Sequence, residues 1–353
     1  MKTLKDFSVT GKRVLVRCDF NVPTDKDNNI LDDFRIKEAL PTIKYLLENN
    51  AKIILMSHLD PESTGVAEKK YNLGNIQKSL EKLLDMNIIK SPDCIGEETK
   101  ELSLKLREGE ILLIENLRFY KEETHSTGSG QADMEFAKKL SYLGDIYVNE
   151  AFGVDHRKNA SLTGVPKFLN HCAGLLLEKE ITNLNKISQN PVKPLIAVIG
   201  GKKVSTKVKI IDKMSEKADF LIISGLIAKE VLEKNIKFKY SEKIITPTGQ
   251  LDSLDINKES VKLFEEKIAT AKTVLWNGPF GKFEEDKYAK GTLAIAQAII
   301  ESKAYSVVGG GETVEFLEKQ GIIDKFSHVS TGGGAMLAYL SGDILPGLAA
   351  LGK

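Results

Sequence analysis

The chain has 353 residues, more than one hydrophobic core usually serves, and this length predicts two domains. Its 28% charged and 42% hydrophobic residues exclude a disordered or fibrous class. Lys+Arg at 50 nearly cancels Asp+Glu at 49, so no global field draws the chain to nucleic acid or anionic lipid, and any anion site has to be a local cluster.

Cys18, Cys94 and Cys172 lack metal-type spacing and read as reduced, buried thiols. The N-terminus runs into charged residues without an apolar core, and no stretch approaches about 18 apolar residues. The expectation is a cytoplasmic protein with no membrane partner.

Short apolar runs alternate with segments of helical period. Strands are predicted at 13–17, 52–56, 111–114 and 146–148 in the first half, then at 195–199, 220–223, 273–276, 306–308 and 328–330. Their apolar character is continuous, as strands covered on both faces by helices require. Helices are predicted at 35–49, 75–85, 134–142 and 260–269. This alternation implies parallel sheets with right-handed crossovers, an α/β fold of two doubly wound domains. The amphipathic stretch 174–188, ending at Asn190-Pro191, reads as the helix joining them. The expected division is 1–173, a linking helix over 174–190, 191–340, and a tail over 341–353 returning toward the first domain.

Open α/β sheets bind ligands beyond the carboxyl ends of their strands. In the first half these ends lead to Asp19 and Asn21, to Ser57-His58, and to Arg118. Arg35 opens the helix after the first strand, and Arg157 follows the fourth. Arginine forks take phosphate and carboxylate bidentately, so the set suits a small substrate carrying both groups. Each arginine alone could equally pair with an acidic neighbour; delivery of the same chemistry by four strands to one edge favours a site.

In the second half, Gly200-Gly201-Lys202-Lys203 follows a strand, as do Gly309-Gly310-Gly311-Glu312-Thr313 and Thr331-Gly332-Gly333-Gly334. Glycines between a strand and a helix let free N–H groups and helix N-termini cradle phosphate oxygens. The spacing is not that of a Walker A loop, and no G-x-G-x-x-G turn follows the first strand, which sets a dinucleotide-dependent dehydrogenase low. The run 125–131 reads as a loop. Glu312 is a carboxylate beside such a glycine loop, which fits a Mg²⁺ ligand, although a helix-start glutamate facing the macrodipole is the blander reading.

The runs VLVRCDFNVP (14–23), ENLRF (115–119), VNEAFGVDHR (148–157), GGKKVSTK (200–207), WNGPFGKFE (276–284), VGGGET (308–313) and VSTGGGA (329–335) resemble phosphoglycerate kinases in order and spacing over nearly the whole chain. The resemblance implies reversible phosphoryl transfer between 1,3-bisphosphoglycerate and ADP, giving 3-phosphoglycerate and ATP, in a Mg²⁺-dependent, monomeric, hinge-bending enzyme. It implies Asp19, Asn21, Arg35, His58, Arg118 and Arg157 as substrate-binding residues, and Arg35, Lys203, Gly332 and Gly333 as catalytic. It assigns Gly201, Lys207, Gly225, Asn277, Glu284, Gly310, Gly311, Glu312 and Thr313 to the nucleotide, with Glu312 on the metal. The hinge is expected in the linking helix and around Leu345-Pro346-Gly347.

The chain departs from the family at His58-Leu59-Asp60-Pro61-Glu62, where Pro61 replaces an arginine, and at Thr206. It is also shorter between Asn235 and Thr273, so part of the nucleotide pocket's outer wall is expected to be missing. These departures motivate an alternative: a non-catalytic nucleotide- or phosphoglycerate-binding protein on the same fold.

Overall fold

The computed structural model describes residues 1–60, 68–124, 133–202 and 204–352. Pro61, the run 125–131 and Lys203, all singled out from sequence, lie outside the described residues. The chain divides into two compact units, one made of Met1–Glu180 with Ile344–Lys353 and the other of Ile181–Asp343.

The first unit carries β1 (Arg13–Cys18), α1 (Phe34–Glu48), β2 (Lys52–Met56), α2 (Gly74–Leu84), β3 (Ile89–Lys90), α3 (Glu97–Lys105), β4 (Ile111–Leu113), α4 (Met134–Ser141), β5 (Ile146–Glu150) and β6 (Asn170–Ala173). Its six strands are all parallel, in the order β3-β4-β2-β1-β5-β6. Helix α5 (Leu175–Ser188) follows, and the division between the units falls inside it.

The second unit carries β7 (Leu195–Ile199), α6 (Val208–Lys217), β8 (Phe220–Ile223), α7 (Gly225–Glu233), β9 (Ile244–Ile245), α8 (Lys258–Ile268), β10 (Thr273–Asn277), α9 (Lys290–Ser302), β11 (Tyr305–Gly309), α10 (Gly311–Lys319), β12 (His328–Ser330) and α11 (Gly333–Leu340). Its six strands are also all parallel, in the order β12-β11-β10-β7-β8-β9. The short helix α12 (Pro346–Ala350) belongs to the first unit, where Gly347 N–H donates to the Asp155 carbonyl at 2.9 Å.

Every residue of β4, β5, β7 and β10 is buried, as the continuous apolar runs require. In α1 the buried side chains Ile36, Ala39, Ile43 and Leu46 recur every three or four residues and pack on the first sheet's core. The strands not read from sequence are β3, β6 and β9, all at sheet edges. Each has two to four residues and buries too little to leave an apolar run.

In each sheet the winding reverses beside the first strand of the unit: between β1 and β5 in one, between β7 and β10 in the other. Helices leave these neighbouring strands in opposite directions, which opens a crevice at their carboxyl ends. That geometry selects Asp19 to Asn21 and 151–157 in the first unit, and Gly200 to Lys207 and 277–284 in the second.

Candidate active site

In the first unit, β1 ends at Cys18 and the following turn is fastened by Ser57, just past β2. Phe20 N–H donates to Ser57 Oγ at 2.9 Å, and Ser57 Oγ donates to the Cys18 carbonyl at 2.9 Å. Asp19 is buried and accepts from Arg35, in the first turn of α1, at 3.2 Å; the same guanidinium nitrogen donates to the Asn21 carbonyl at 2.9 Å. Strand end and helix start are thus tied by one arginine.

His58 is buried with Arg17 Nη2 3.2 Å from its Nδ1. A guanidinium can only donate, so Nδ1 accepts and the imidazole proton sits on Nε2, which has no partner among the described residues. Burial, reinforced by the charges of Arg17, Arg118, Arg157 and Arg35, holds His58 well below its usual pKa, so the ring is neutral at physiological pH. A neutral donor surrounded by four guanidinium groups is receptive to an anion.

Arg118 is placed by Asn116. The Oδ1 of Asn116 accepts from Arg118 N–H at 2.9 Å and Leu59 N–H at 3.1 Å, while its Nδ2 donates to the carbonyls of Leu59 and Tyr71 at 2.7 and 2.8 Å. The guanidinium of Arg118 pairs with Asp60 at 3.1 Å, both side chains buried. Burial and the charge of Arg157 lower the Arg118 pKa. Arg157 itself is half-buried and forms no carboxylate pair among the described residues. The structure therefore brings Asp19, Asn21, Arg35, His58 and Arg118 to one edge, with Arg157 near enough to act on His58 and Arg118.

Sequence reasoning missed the inner support of this edge. Arg17, on β1, donates to Ser161 Oγ at 2.8 Å and lies 3.7 Å from Glu123; both charged side chains are fully buried. Glu123 in turn accepts from Ser161 N–H and Oγ at 2.9 and 2.6 Å. An arginine inside the otherwise apolar run Val14-Leu15-Val16-Arg17-Cys18 was the available signal, since an arginine so placed needs a buried partner.

In the second unit, the loops after β7 and β10 close on each other. Gly200 N–H donates to the Asn277 carbonyl and Gly201 N–H to the Pro279 carbonyl, each at 2.8 Å. A Cβ at Gly200 would come within 2.3 Å of the Gly278 and Pro279 carbonyl oxygens, so only glycine permits this approach. Lys207 Nζ donates to Asn277 Oδ1 at 2.6 Å, while Asn277 Nδ2 donates to the Gly309 carbonyl at 2.7 Å. Burial pulls the Lys207 ammonium down to about 8, partly opposed by nearby Glu312.

Gly278 N–H donates to Thr313 Oγ1 at 2.8 Å, which fastens the first turn of α10 to the β10 loop. Gly310, at φ +107, is the residue before α10, and Glu312 is exposed in that helix's first turn. A Cβ on Gly333, the first residue of α11, would sit 3.1 Å from Gly310 Cα. The starts of α10 and α11 are therefore close neighbours, and their unpaired N–H groups form a positive patch. Glu284 stands apart from this cluster, exposed and 3.5 Å from Lys202. Among the described residues no three His, Cys, Asp or Glu side chains gather as a metal cluster.

Gly225 opens α7 beside a cavity of about 200 Å³ lined by Gly201, Leu226, Phe280 and the segment 247–257. The Leu251 carbonyl lies where a Cβ on Gly225 would come within 2.2 Å of it. The segment that remains in the shortened stretch forms one side of this cavity. No helix among the described residues is long and apolar enough to cross a membrane.

A family model described as phosphoglycerate kinase matches residues 4–239 and 229–343, two matches that overlap next to the shortened stretch. A protein of Coprothermobacter proteolyticus named phosphoglycerate kinase is 40% identical over 394 residues, covering 99% of this chain and 98% of the relative. One of Nostoc sp. with the same name is 42% identical over 398 residues, covering 99% and 98%. Both alignments are longer than the chain, so these relatives carry residues that it lacks.

Among solved structures, phosphoglycerate kinase from Pyrococcus horikoshii OT3 superposes with a TM-score of 0.88 at 31% identity, over 100% of this chain and 98% of that one. The Coxiella burnetii enzyme gives 0.83 at 33% identity, over 99% and 98%. With two six-stranded parallel sheets, a family match along nearly its whole length and full-length relatives at about 40% identity, the chain belongs to the phosphoglycerate kinase family.

Proposed function

We propose that this kinase moves the acyl phosphoryl group of 1,3-bisphosphoglycerate to ADP and back, with 3-phosphoglycerate held on the first unit and the nucleotide on the second. The observation that carries the reading is the pairing of chemistries: neutral His58 amid four arginines on one sheet edge, and the Lys207–Asn277–Thr313 set beside two helix N-termini on the other. A non-catalytic binder on the same fold is not favoured, because the full-length relatives are kinases.

On this reading Asp19 and Asn21 orient the glycerate, while Arg118 and Arg157 take its phosphate in bidentate fashion. His58 Nε2–H donates to a substrate oxygen. Arg35 faces the acyl group, and its hold on Asp19 and on the Asn21 carbonyl fixes it before substrate arrives. On the nucleotide, Gly225 leaves room for the base, Glu284 takes the ribose and Lys207 the phosphates. Gly201, Gly310, Gly311 and Thr313 cradle the phosphate chain, and Asn277 holds this set together. Lys203, with the N–H groups of Gly332 and Gly333, meets the charge on the transferring group. Phosphoryl transfer asks for in-line placement and charge neutralisation more than covalent help, and these residues supply both.

Glu312 is the carboxylate assigned to Mg²⁺. One carboxylate suffices where phosphate oxygens and water complete the shell, which fits its position in the first turn of α10. When bound, Mg²⁺ supplies neutralisation of the phosphate oxygens. Transfer needs reacting atoms within about 3–3.5 Å. We place the hinge that brings the reacting groups to that distance in α5 and at Leu345-Pro346-Gly347, with domains at 1–173 and 191–340, a linking helix over 174–190 and a tail over 341–353.

We further propose a cytoplasmic monomer that takes no nucleic acid, supported by a formal net charge of +1 and by edge strands of two to four residues. The test is a coupled assay with Mg²⁺, ATP and 3-phosphoglycerate. Turnover well above a Lys203→Ala control is expected, and turnover equal to that control would refute the reading.

A further inference from the structure

Resting on the reading of the second unit as the nucleotide side, we infer that Glu230 is a positioning residue for the phosphate-holding loop: from α7, its carboxylate fixes the turn that carries Lys207. Glu230 Oε2 accepts from Val204 N–H at 2.8 Å. Val204 is 1% exposed and opens the single helical turn Val204–Thr206, where a leading N–H has no partner within the turn and has to find one outside it. The Val204 carbonyl accepts from Lys207 N–H at 2.7 Å, and the Lys207 carbonyl accepts from Ile211 N–H of α6 at 2.9 Å. A line of bonds therefore runs from Glu230 through Val204 to the backbone of Lys207, whose ammonium is assigned to the nucleotide phosphates.

The same helix grips the loop at its other end. Ser224, the residue before α7, donates from Oγ to the Gly201 carbonyl at 2.9 Å, while its own N–H donates to the Ile199 carbonyl at 3.1 Å. Asn277 directs the Lys207 side chain from the β10 side, so the ammonium is aimed by Asn277 and its backbone is held by Glu230. The blander role for Glu230 is a helix pair with Lys234, one turn on, whose Nζ lies 2.5 Å from Oε1. That pair is partly exposed, and such pairs do little for a helix. It also leaves Oε2 to the buried amide. The two roles differ in sign at the nucleotide. As a charge Glu230 repels a polyphosphate, whereas as an acceptor it keeps the loop in the shape that takes one.

Glu230→Ala, Glu230→Gln and Lys234→Ala are compared with the wild type by steady-state kinetics with Mg²⁺, ATP and 3-phosphoglycerate and, without ligand, by hydrogen–deuterium exchange over 200–207. Glu230→Ala should lower kcat/KM for ATP about tenfold, the size of one hydrogen bond to a charged group, with the KM for 3-phosphoglycerate unchanged. It should also speed exchange over 200–207. Glu230→Gln keeps an acceptor and drops the charge, so it should hold kcat/KM for ATP within about threefold of the wild type and keep the protection. Lys234→Ala should stay within about twofold. A kcat/KM for ATP that is unchanged or raised in Glu230→Ala overturns the proposal, because charge would then be all that Glu230 contributes. A glutamine variant as impaired as the alanine one overturns it too, as does a loss in Lys234→Ala equal to that in Glu230→Ala, which would place the effect in the helix pair. If the wild type shows no turnover, the kinase reading fails, while exchange over 200–207 still decides whether Glu230 holds the loop.

Discussion

The ammonium of Lys207 lies 2.6 Å from Oδ1 of Asn277, whose other side-chain nitrogen holds the Gly309 carbonyl at 2.7 Å. One amide thus joins the loops after β7, β10 and β11 at the place assigned to the nucleotide phosphates. A neutral partner accepts from the ammonium without compensating its burial, and the Lys207 pKa falls to about 8.

The first prediction concerns pH. Above about 8 the free enzyme increasingly holds Lys207 neutral and loses an attraction to phosphate, while bound nucleotide pulls the proton back. The loss should appear in kcat/KM for ATP, falling about tenfold per pH unit beyond the inflection, with kcat much flatter. Lys207→Arg, which stays charged, should remove the inflection whatever it does to the absolute rate. A profile for the wild type that is flat from pH 7 to pH 9 would contradict this.

Gly225→Ala tests the cavity wall. The added methyl would come within 2.2 Å of the Leu251 carbonyl, so the 247–257 segment has to move. We expect a loss of about 1–3 kcal/mol in stability and a raised KM for ATP, with the KM for 3-phosphoglycerate unchanged. Urea unfolding and two-substrate kinetics read both; equal shifts in the two KM values would place the damage elsewhere.

The folding pattern was legible where it was strongly apolar. Runs such as Leu195–Ile199 had to be buried strands, and glycines after them had to be turns into helices. The site edges followed from strand ends alone, because parallel strands deliver their C-terminal residues to one side. What stayed hidden was the pairing within each edge. Arg17 with Glu123 joins residues 106 positions apart, and Asp60 with Arg118 joins residues 58 apart; nothing local in the sequence announces either contact. How the shortened segment meets Gly225 was hidden for a related reason: it depends on where β9 and α8 place its two ends.

The buried pair of Arg17 and Glu123 and the exposed pair of Arg13 and Asp145 give a contrast. Arg17→Met leaves Glu123 buried without its counter-charge and should cost about 3–5 kcal/mol. Arg13→Met removes a pair 2.6 Å apart whose side chains are 20% and 40% exposed, and should cost about 0–1 kcal/mol. Urea denaturation of both variants makes the comparison, and similar costs would mean that Glu123 takes up its proton as soon as Arg17 is lost.

The last prediction links stability to pH at the start of α5. Glu150, the final residue of β5, is fully buried and accepts from Thr42 Oγ1 and from the N–H groups of Leu176 and Leu177, the latter two at 3.0 and 3.5 Å. Burial outweighs these bonds and raises its pKa to about 7. The folded chain therefore keeps a proton that the unfolded chain releases near 4.5. Its contribution to stability is complete below that pH, declines as pH rises toward 7 and is flat beyond. Asp155, also raised to about 7 by burial, acts in the same direction. Glu150→Gln cannot titrate, so the stability difference between wild type and variant should shrink between pH 5 and pH 8 by about 2–3 kcal/mol. Thr42→Val, which removes one donor to the carboxylate, should push the Glu150 pKa still higher and extend the decline to higher pH. A wild-type advantage that grows over this interval would mean that Glu150 is held ionised, with the N-terminus of α5 stabilising its charge more than burial opposes it.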